Sequence, residues 1–262
     1  MQGHGQEQEQ EQKDARLALA CLDLTSLNEG DDRAVIDALC ARAVTRWGPV
    51  AAVCVWPRFV AQARAALPPA VAVAAVANFP AGALDIEAAL ADARNIVDAG
   101  GDEIDLVLPW HAMLDGRADH AAHVVAAVRE ACAGRRMKLI LESGELPTPE
   151  ALRLACAIGL DAGVDYLKTS SGKTAHGASH AAARLMLQAI ADHPRAASVG
   201  FKASGGVRSV ADAAGYSALV RDILGPAALT AARLRFGASA LLGDIERVLG
   251  GAADRAMPSA AY

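Results

Sequence analysis

From residue 16 onward the chain alternates short apolar runs with longer stretches in which Ala and Leu recur every three or four positions and charges gather on the opposite side. The short runs suit strands buried on both faces of a parallel sheet; the longer stretches suit helices covering that sheet. Strands are predicted at 17–24, 50–55, 71–77, 103–108, 137–141, 164–168, 199–202 and 234–236, the last being weakest because Arg233 and Arg235 interrupt it. Helices are predicted at 33–46, 58–66, 85–99, 119–133, 149–162, 179–191, 210–224 and 239–249, many of them opening on Asp, Ser or Pro as N-terminal turns prefer. Eight strand and helix units within a 262-residue chain favour an α/β protein with one closed (β/α)8 TIM barrel at 16–250 over an open doubly wound sheet. Residues 1–15, rich in Gln and Glu, read as a short disordered tail, and 251–262 as a flexible one.

Closure has a positional consequence. Functional groups belong at the carboxyl ends of barrel strands, and the polar residues ending these runs include Asp23, Asn78, Asp105, Glu142, Lys168 and Lys202. Lysine use sharpens this set. The chain holds five lysines against twenty arginines, and three of the five lie in Tyr166-Leu-Lys-Thr-Ser-Ser-Gly-Lys173 and Gly200-Phe-Lys202. Arginine stays protonated, whereas a desolvated lysine can lose its proton and attack a carbonyl, so a chain that spends Lys this sparingly points to Schiff-base chemistry. Chance scatter of a few lysines is the plain alternative. An isolated lysine is a free amine in only about one molecule in two thousand at pH 7. A second ammonium about 4 Å away adds roughly 4 kcal/mol of repulsion at an effective dielectric of 20. Lys168 and Lys202, ending neighbouring strands, supply such a pair, one as nucleophile and the other as the charge that depresses its pKa.

Asp105 lies two residues from Glu103, so on a strand the two share a face. A carboxylate among Ile104, Leu106 and Val107 needs a partner, and the lysines offer one; Asp105 could then move protons at an imine or serve as a structural ion pair. Asp23 could bind a hydroxyl, tune the lysines or cap a helix. Cys54, ending the second strand, could meet an aldehyde at the mouth or simply pack.

Three glycine-containing segments suit an anion: Ser170-Ser-Gly-Lys173, Ser204-Gly-Gly-Val-Arg208 and Gly237-Ala-Ser239. They follow strands six, seven and eight, where barrels commonly bind phosphate, and Lys173 and Arg208 add charge. A phosphorylated, carbonyl-bearing small molecule follows as substrate.

Other classes fit less well. A formal charge of −5 without a Lys/Arg block argues against nucleic acid, and no apolar run approaches the roughly 20 residues that cross a bilayer. Five scattered cysteines with no Cys-x-x-Cys pair suggest reduced thiols in a cytoplasm. His120, His123, His176 and His180 lack the carboxylate or cysteine spacing that would complete a metal site, and neither metal nor cofactor is expected. The Ala-rich helices could be solvated or form the face of a homodimer.

Leu22-Asp-Leu-Thr-Ser-Leu27, Ala77-Asn-Phe-Pro80, Asp102-Glu-Ile-Asp105, Leu141-Glu-Ser-Gly-Glu-Leu146, Lys168-Thr-Ser-Ser-Gly-Lys173 and Gly200-Phe-Lys-Ala-Ser-Gly-Gly-Val-Arg208 resemble, in order and spacing, the motifs of the deoxyribose-phosphate aldolase family. The resemblance runs from about residue 19 to 262. It implies a metal-independent class I aldolase that reversibly cleaves 2-deoxy-D-ribose 5-phosphate to acetaldehyde and D-glyceraldehyde 3-phosphate. By position Lys168 matches the Schiff-base lysine, Lys202 the lysine that perturbs it and Asp105 the proton-relay aspartate. Gly172, Lys173, Gly205, Gly206, Arg208, Gly237 and Ser239 match the phosphate shell, and Tyr262 a tail tyrosine that assists proton transfer. The sequence departs from the family at Ser171 and Ala203-Ser204, and at Ala240, which lacks a hydroxyl worth about 1 kcal/mol to a bound phosphate. Another Schiff-base barrel of different specificity and a silent phosphosugar-binding barrel are the competing readings, though binding alone would not require Lys168, Lys202 and Asp105 together.

Overall fold

The computed structural model describes residues 2–132 and 134–250. Eight parallel strands close into a barrel: β1 (Leu22–Thr25), β2 (Ala52–Val55), β3 (Ala72–Ala77), β4 (Glu103–Val107), β5 (Arg136–Ile140), β6 (Tyr166–Lys168), β7 (Gly200–Ser204) and β8 (Leu234–Ala238), with β8 returning to pair with β1. The connecting helices are α2 (Arg33–Arg42), α3 (Val60–Ala66), α4 (Ile86–Asp98), the short α5 (Trp110–Leu114), α6 (Ala118–Ala131), α7 (Pro149–Asp161), α8 (His180–Ala191) and α9 (Val210–Leu224), and α10 (Leu241–Gly250) follows β8. All eight predicted strands are present.

The N-terminal expectation is corrected. Residues 2–20 form a helix, α1 (Gln2–Ala20), rather than a disordered tail running into the first strand. Glu and Gln are good helix formers, and on one face Glu9 pairs with Lys13 at 2.6 Å while Gln10 donates to Asp14 at 3.0 Å. Farther along, Ala15, Ala18 and Leu19 are buried as α1 packs on α9 and α10. That apolar anchorage is what a compositional reading of the tail overlooks. Residues 251–262, including Tyr262, lie outside the described residues.

Alternation along the strands separates two interiors. Leu106, Leu139, Leu167, Phe201 and Phe236 belong to the apolar core shared with the helices. Their strand neighbours Asp105, Lys138, Lys168, Lys202 and Arg235 turn the other way, into the barrel. Several helix starts beyond the strand ends are capped: Asp85, Thr148, Ser179 and Ser209 each accept a bond from the backbone N–H three residues on. Each cap contributes about 1 kcal/mol and fixes where a loop at the carboxyl mouth ends.

Candidate active site

The strand register brings the charged side chains together. Asp105 on β4 is the partner of Lys138 on β5, Lys168 on β6 of Lys202 on β7, and Lys202 of Arg235 on β8. Lys168 Nζ donates to Asp105 Oδ2 at 2.8 Å, and Lys202 Nζ to the same oxygen at 2.7 Å. The two amines expected to be neighbours therefore share one carboxylate oxygen. Lys202 also reaches Asp23 Oδ2 at 2.5 Å, which places Asp23 inside the buried lysine cluster.

Sequence reasoning missed two members of this cluster. Lys138 Nζ lies 2.7 Å from Asp105 Oδ1, 2.5 Å from Glu103 Oε2 and 3.4 Å from Asp23 Oδ2. Arg235, which seemed to interrupt the eighth strand, points inward and donates to Asp23 Oδ1 at 2.6 Å and Glu103 Oε1 at 2.8 Å. Both had left a signal, since each is a charge at every second position of an otherwise apolar run. Glu103 completes the set, turned into the barrel on the face it shares with Asp105.

Burial and pairing divide the lysines. Burial lowers the Lys168 pKa below its ordinary value, and the neighbouring Lys202 charge adds to this against the pull of Asp105. Burial would also lower Lys202, yet Asp105 and Asp23 outweigh it and hold that amine charged. Lys138, surrounded by Asp105, Glu103 and Asp23, is held well above the usual range against the same burial cost. Asp105 in turn stays well below the usual carboxylate range, because Lys138, Lys168 and Lys202 overcome the cost of its burial. The result is one amine that holds its proton less tightly than usual beside two that hold theirs more tightly.

The three glycine loops line a single cavity of about 290 Å³ at the carboxyl end of the strands. Gly172, Lys173, Gly205, Gly206, Arg208, Gly237 and Ser239 all contribute to it, as does the departing residue Ala240. Gly205 and Gly206 adopt φ of +86° and +93°, conformations that L side chains rarely take. At Gly237 a Cβ would come within 3.0 Å of Lys202 Cε and 2.8 Å of Ser204 Oγ, so the cavity wall lies directly against the amine cluster. Buried Glu142, noted only as a polar strand end, accepts from Ser171 N at 3.1 Å and anchors the loop after β6.

Cys54 is buried with Leu27, Ala74 and Val76, and burial raises its thiol pKa. It packs rather than presenting a ready thiolate. His180 stacks edge-on against Tyr216. A larger cavity of about 630 Å³ opens at the opposite mouth, where Arg136, Glu103 and Arg235 form part of the lining, but Lys168 and the glycine loops are not there.

Residues 17–243 match the model of the DeoC/LacD family of aldolases. The chain belongs to that family. A deoxyribose-phosphate aldolase of Agrobacterium fabrum (strain C58 / ATCC 33970) is 44% identical over 240 residues, covering 90% of this chain and 92% of that protein. The crystal structure of a protein assigned as a deoxyribose-phosphate aldolase from Coccidioides immitis is 29% identical, covers 89% of this chain and 87% of its own, and superposes with a TM-score of 0.77. The tetrameric deoxyribose phosphate aldolase of Aeropyrum pernix, 23% identical, covers 91% of this chain and 95% of its own with a TM-score of 0.70, a likeness of fold. Within this family barrel, the glycine-lined cavity and the Lys168–Lys202 pair beside it stand toward the carboxyl end, where barrels conduct chemistry, while Glu103 and Arg235 lie toward the other mouth.

Proposed function

We propose that the protein is a class I aldolase that reversibly cleaves 2-deoxy-D-ribose 5-phosphate to acetaldehyde and D-glyceraldehyde 3-phosphate, in the breakdown of deoxynucleosides. One observation carries the reading: two lysine amines share a single oxygen of buried Asp105 at the barrel end that also holds a glycine-lined cavity with Lys173 and Arg208. The Agrobacterium relative, named for this activity, supports the choice of substrate.

In the cleavage direction the neutral Lys168 amine adds to the C1 aldehyde, and the carbinolamine loses water to give a protonated imine. The imine draws the electrons of the C2–C3 bond as the C3 hydroxyl passes its proton through water to Asp105, releasing D-glyceraldehyde 3-phosphate and leaving an enamine that the relayed proton later meets at C2. Protonation at C2 and hydrolysis then release acetaldehyde and restore Lys168. Asp105, to which the Lys138, Lys168 and Lys202 amines donate, steadies the imine charge, positions the amine and relays protons through water. Lys202 stays charged and keeps Lys168 from protonating. Five buried free cysteines accord with a reducing cytoplasm, and we propose assembly as a homodimer.

Acetaldehyde with borohydride, followed by peptide mapping, tests the nucleophile. A single reduced ethyl adduct on Lys168 is expected; a folded protein with no adduct there would exclude the mechanism. The phosphate assignment has its own check. Arg208 is exposed and its backbone, not its guanidinium, bonds Asp212. Arg208→Ala should raise KM for the phosphorylated substrate by about tenfold to a hundredfold, the loss of one charge-assisted bond of about 1.5–3 kcal/mol. Turnover of unphosphorylated 2-deoxyribose should hardly change, and an equal loss on both sugars would remove the phosphate role.

A further inference from the structure

We propose that Glu103 and Arg235, which reach Lys168 only through other residues, set its protonation by fixing the charge balance of the buried cluster, and so act as positioning residues for imine formation. This rests on the Schiff-base reading above.

The fully buried members are three carboxylates, Asp23, Glu103 and Asp105, and four cations, Lys138, Lys168, Lys202 and Arg235. With every group ionised the cluster carries one positive charge too many, and burial makes that excess costly. The proton that leaves is the one held least tightly. Arg235 cannot supply it, because a guanidinium does not deprotonate in a protein and this one also bonds Asp23, Glu103 and the Ala231 carbonyl. Lys138 lies within 3.4 Å of three carboxylates, and Lys202 contacts two. Lys168 contacts one, through a single oxygen of Asp105. The ladder of three, two and one carboxylate partners directs the deficit to Lys168.

Among the described residues, no other charge near Lys168 upsets this count. Cys54 on β2 is buried as a thiol, and β3 offers Ala74 and Val76. Glu142, beyond β5, is turned to Ser171 and Thr174. Arg136 pairs with Glu103 at 2.6 Å, but its side chain is 39% exposed at the opposite mouth, where water screens it. Lys173 and Arg208 are exposed at the phosphate cavity. The excess charge thus depends on one irreducible cation, Arg235, and one carboxylate, Glu103, both away from the reacting atoms.

The count gives the two variants opposite signs. Glu103→Gln removes an anion and raises the excess, while Lys138 keeps Asp105 and Asp23 as partners; Lys168 should lose its proton at lower pH. Arg235→Met removes the excess, and Lys168 should hold its proton to higher pH. The experiment is the rate of reductive trapping of acetaldehyde on Lys168 by cyanoborohydride, followed against pH by mass spectrometry of the full-length chain. Below the wild-type midpoint, trapping should be about tenfold faster in Glu103→Gln and about tenfold slower in Arg235→Met, the effect of moving the midpoint by about one pH unit. The double variant, which removes one charge of each sign, should bring the midpoint back near the wild-type value. A role in packing alone would leave the midpoints in place or move both the same way, and either result overturns the proposal. If Arg235→Met fails to fold, Glu103→Gln decides alone, an unchanged or more alkaline midpoint being the contrary result. Failure of wild type to form an adduct on Lys168 at any pH is a separate outcome, which would remove the Schiff-base reading and this inference with it.

Discussion

Replacing Lys168 by Met should lower turnover of 2-deoxy-D-ribose 5-phosphate by about 10⁴-fold or more and, at neutral pH, make the folded chain more stable. The first effect follows from the proposed mechanism, because no other group can form the imine at that position. The second follows from the environment of the amine. Its pKa is lowered on folding, so the folded state penalises the ammonium. For a base this cost is fully present below the folded pKa and fades as pH rises towards the unfolded value near 10.4. Met removes it and leaves three cations with three carboxylates, while Asp105 keeps Lys138 and Lys202. A gain of about 1 kcal/mol, or about 2–4 °C in Tm, is expected at neutral pH, fading as pH rises through the lowered folded pKa and gone above about pH 10.4. Thermal melts across pH beside steady-state assays measure both. A variant that is inactive and less stable would mean that the Lys168–Asp105 pair holds the barrel together more than it strains it.

Asp105→Asn should act in the opposite sense on stability. Three lysine amines donate to this carboxylate, and its removal leaves the buried cations Lys138, Lys202 and Arg235, with Lys168 beside them, against two buried carboxylates. Breaking a buried pair in this way costs about 3–5 kcal/mol. The pH dependence has a definite sign. Lys138, Lys168 and Lys202 hold the Asp105 pKa well below its usual range against burial. Its contribution is therefore complete above about pH 4 and is lost as pH falls through the lowered value. Denaturant melts should show a gap between wild type and variant that is constant from about pH 5 to 8 and narrows in strong acid. Turnover should fall by about 10²–10⁴-fold, and raising the pH should not restore it, since the variant's excess positive charge leaves Lys168 neutral more readily, not less. Recovery of activity at alkaline pH would instead show that Asp105 matters only through the charge of Lys168.

The eight strands could be read from the sequence because the outward faces of the barrel strands are apolar throughout, and an apolar run reports that face. Leu139, Leu167, Phe201 and Phe236 marked their strands in this way. The same measure hid what the inward faces do. Arg235 looked like an interruption because its partners, Asp23 and Glu103, are 212 and 132 residues distant along the chain. Lys138 escaped although it is one of only five lysines, since an inward charge in mid-strand has meaning only once Asp105 is known to be its register partner. Lys168 and Lys202 drew notice because the apolar runs end on them, and Asp105 because it lies two residues from Glu103; in the structure only Lys168 ends its strand, while Lys202 and Asp105 stand at the middle of theirs. At the N-terminus, the Gln/Glu composition of residues 1–15 obscured the burial of Ala15, Ala18 and Leu19 against α9 and α10.

The origin of the buried charges along the chain has a consequence for assembly of the barrel. Asp23, Glu103 and Asp105 come from β1–β4, whereas Lys138, Lys168, Lys202 and Arg235 come from β5–β8. A half-barrel built from the first four strands would present an anionic inner surface, and one built from the last four a cationic one. Neither half can neutralise itself, and each is the counterion of the other. The buried charges around Lys168 thus also favour the complete ring over any open or one-sided intermediate, so that closing the barrel and pairing the two sets of charges are one event.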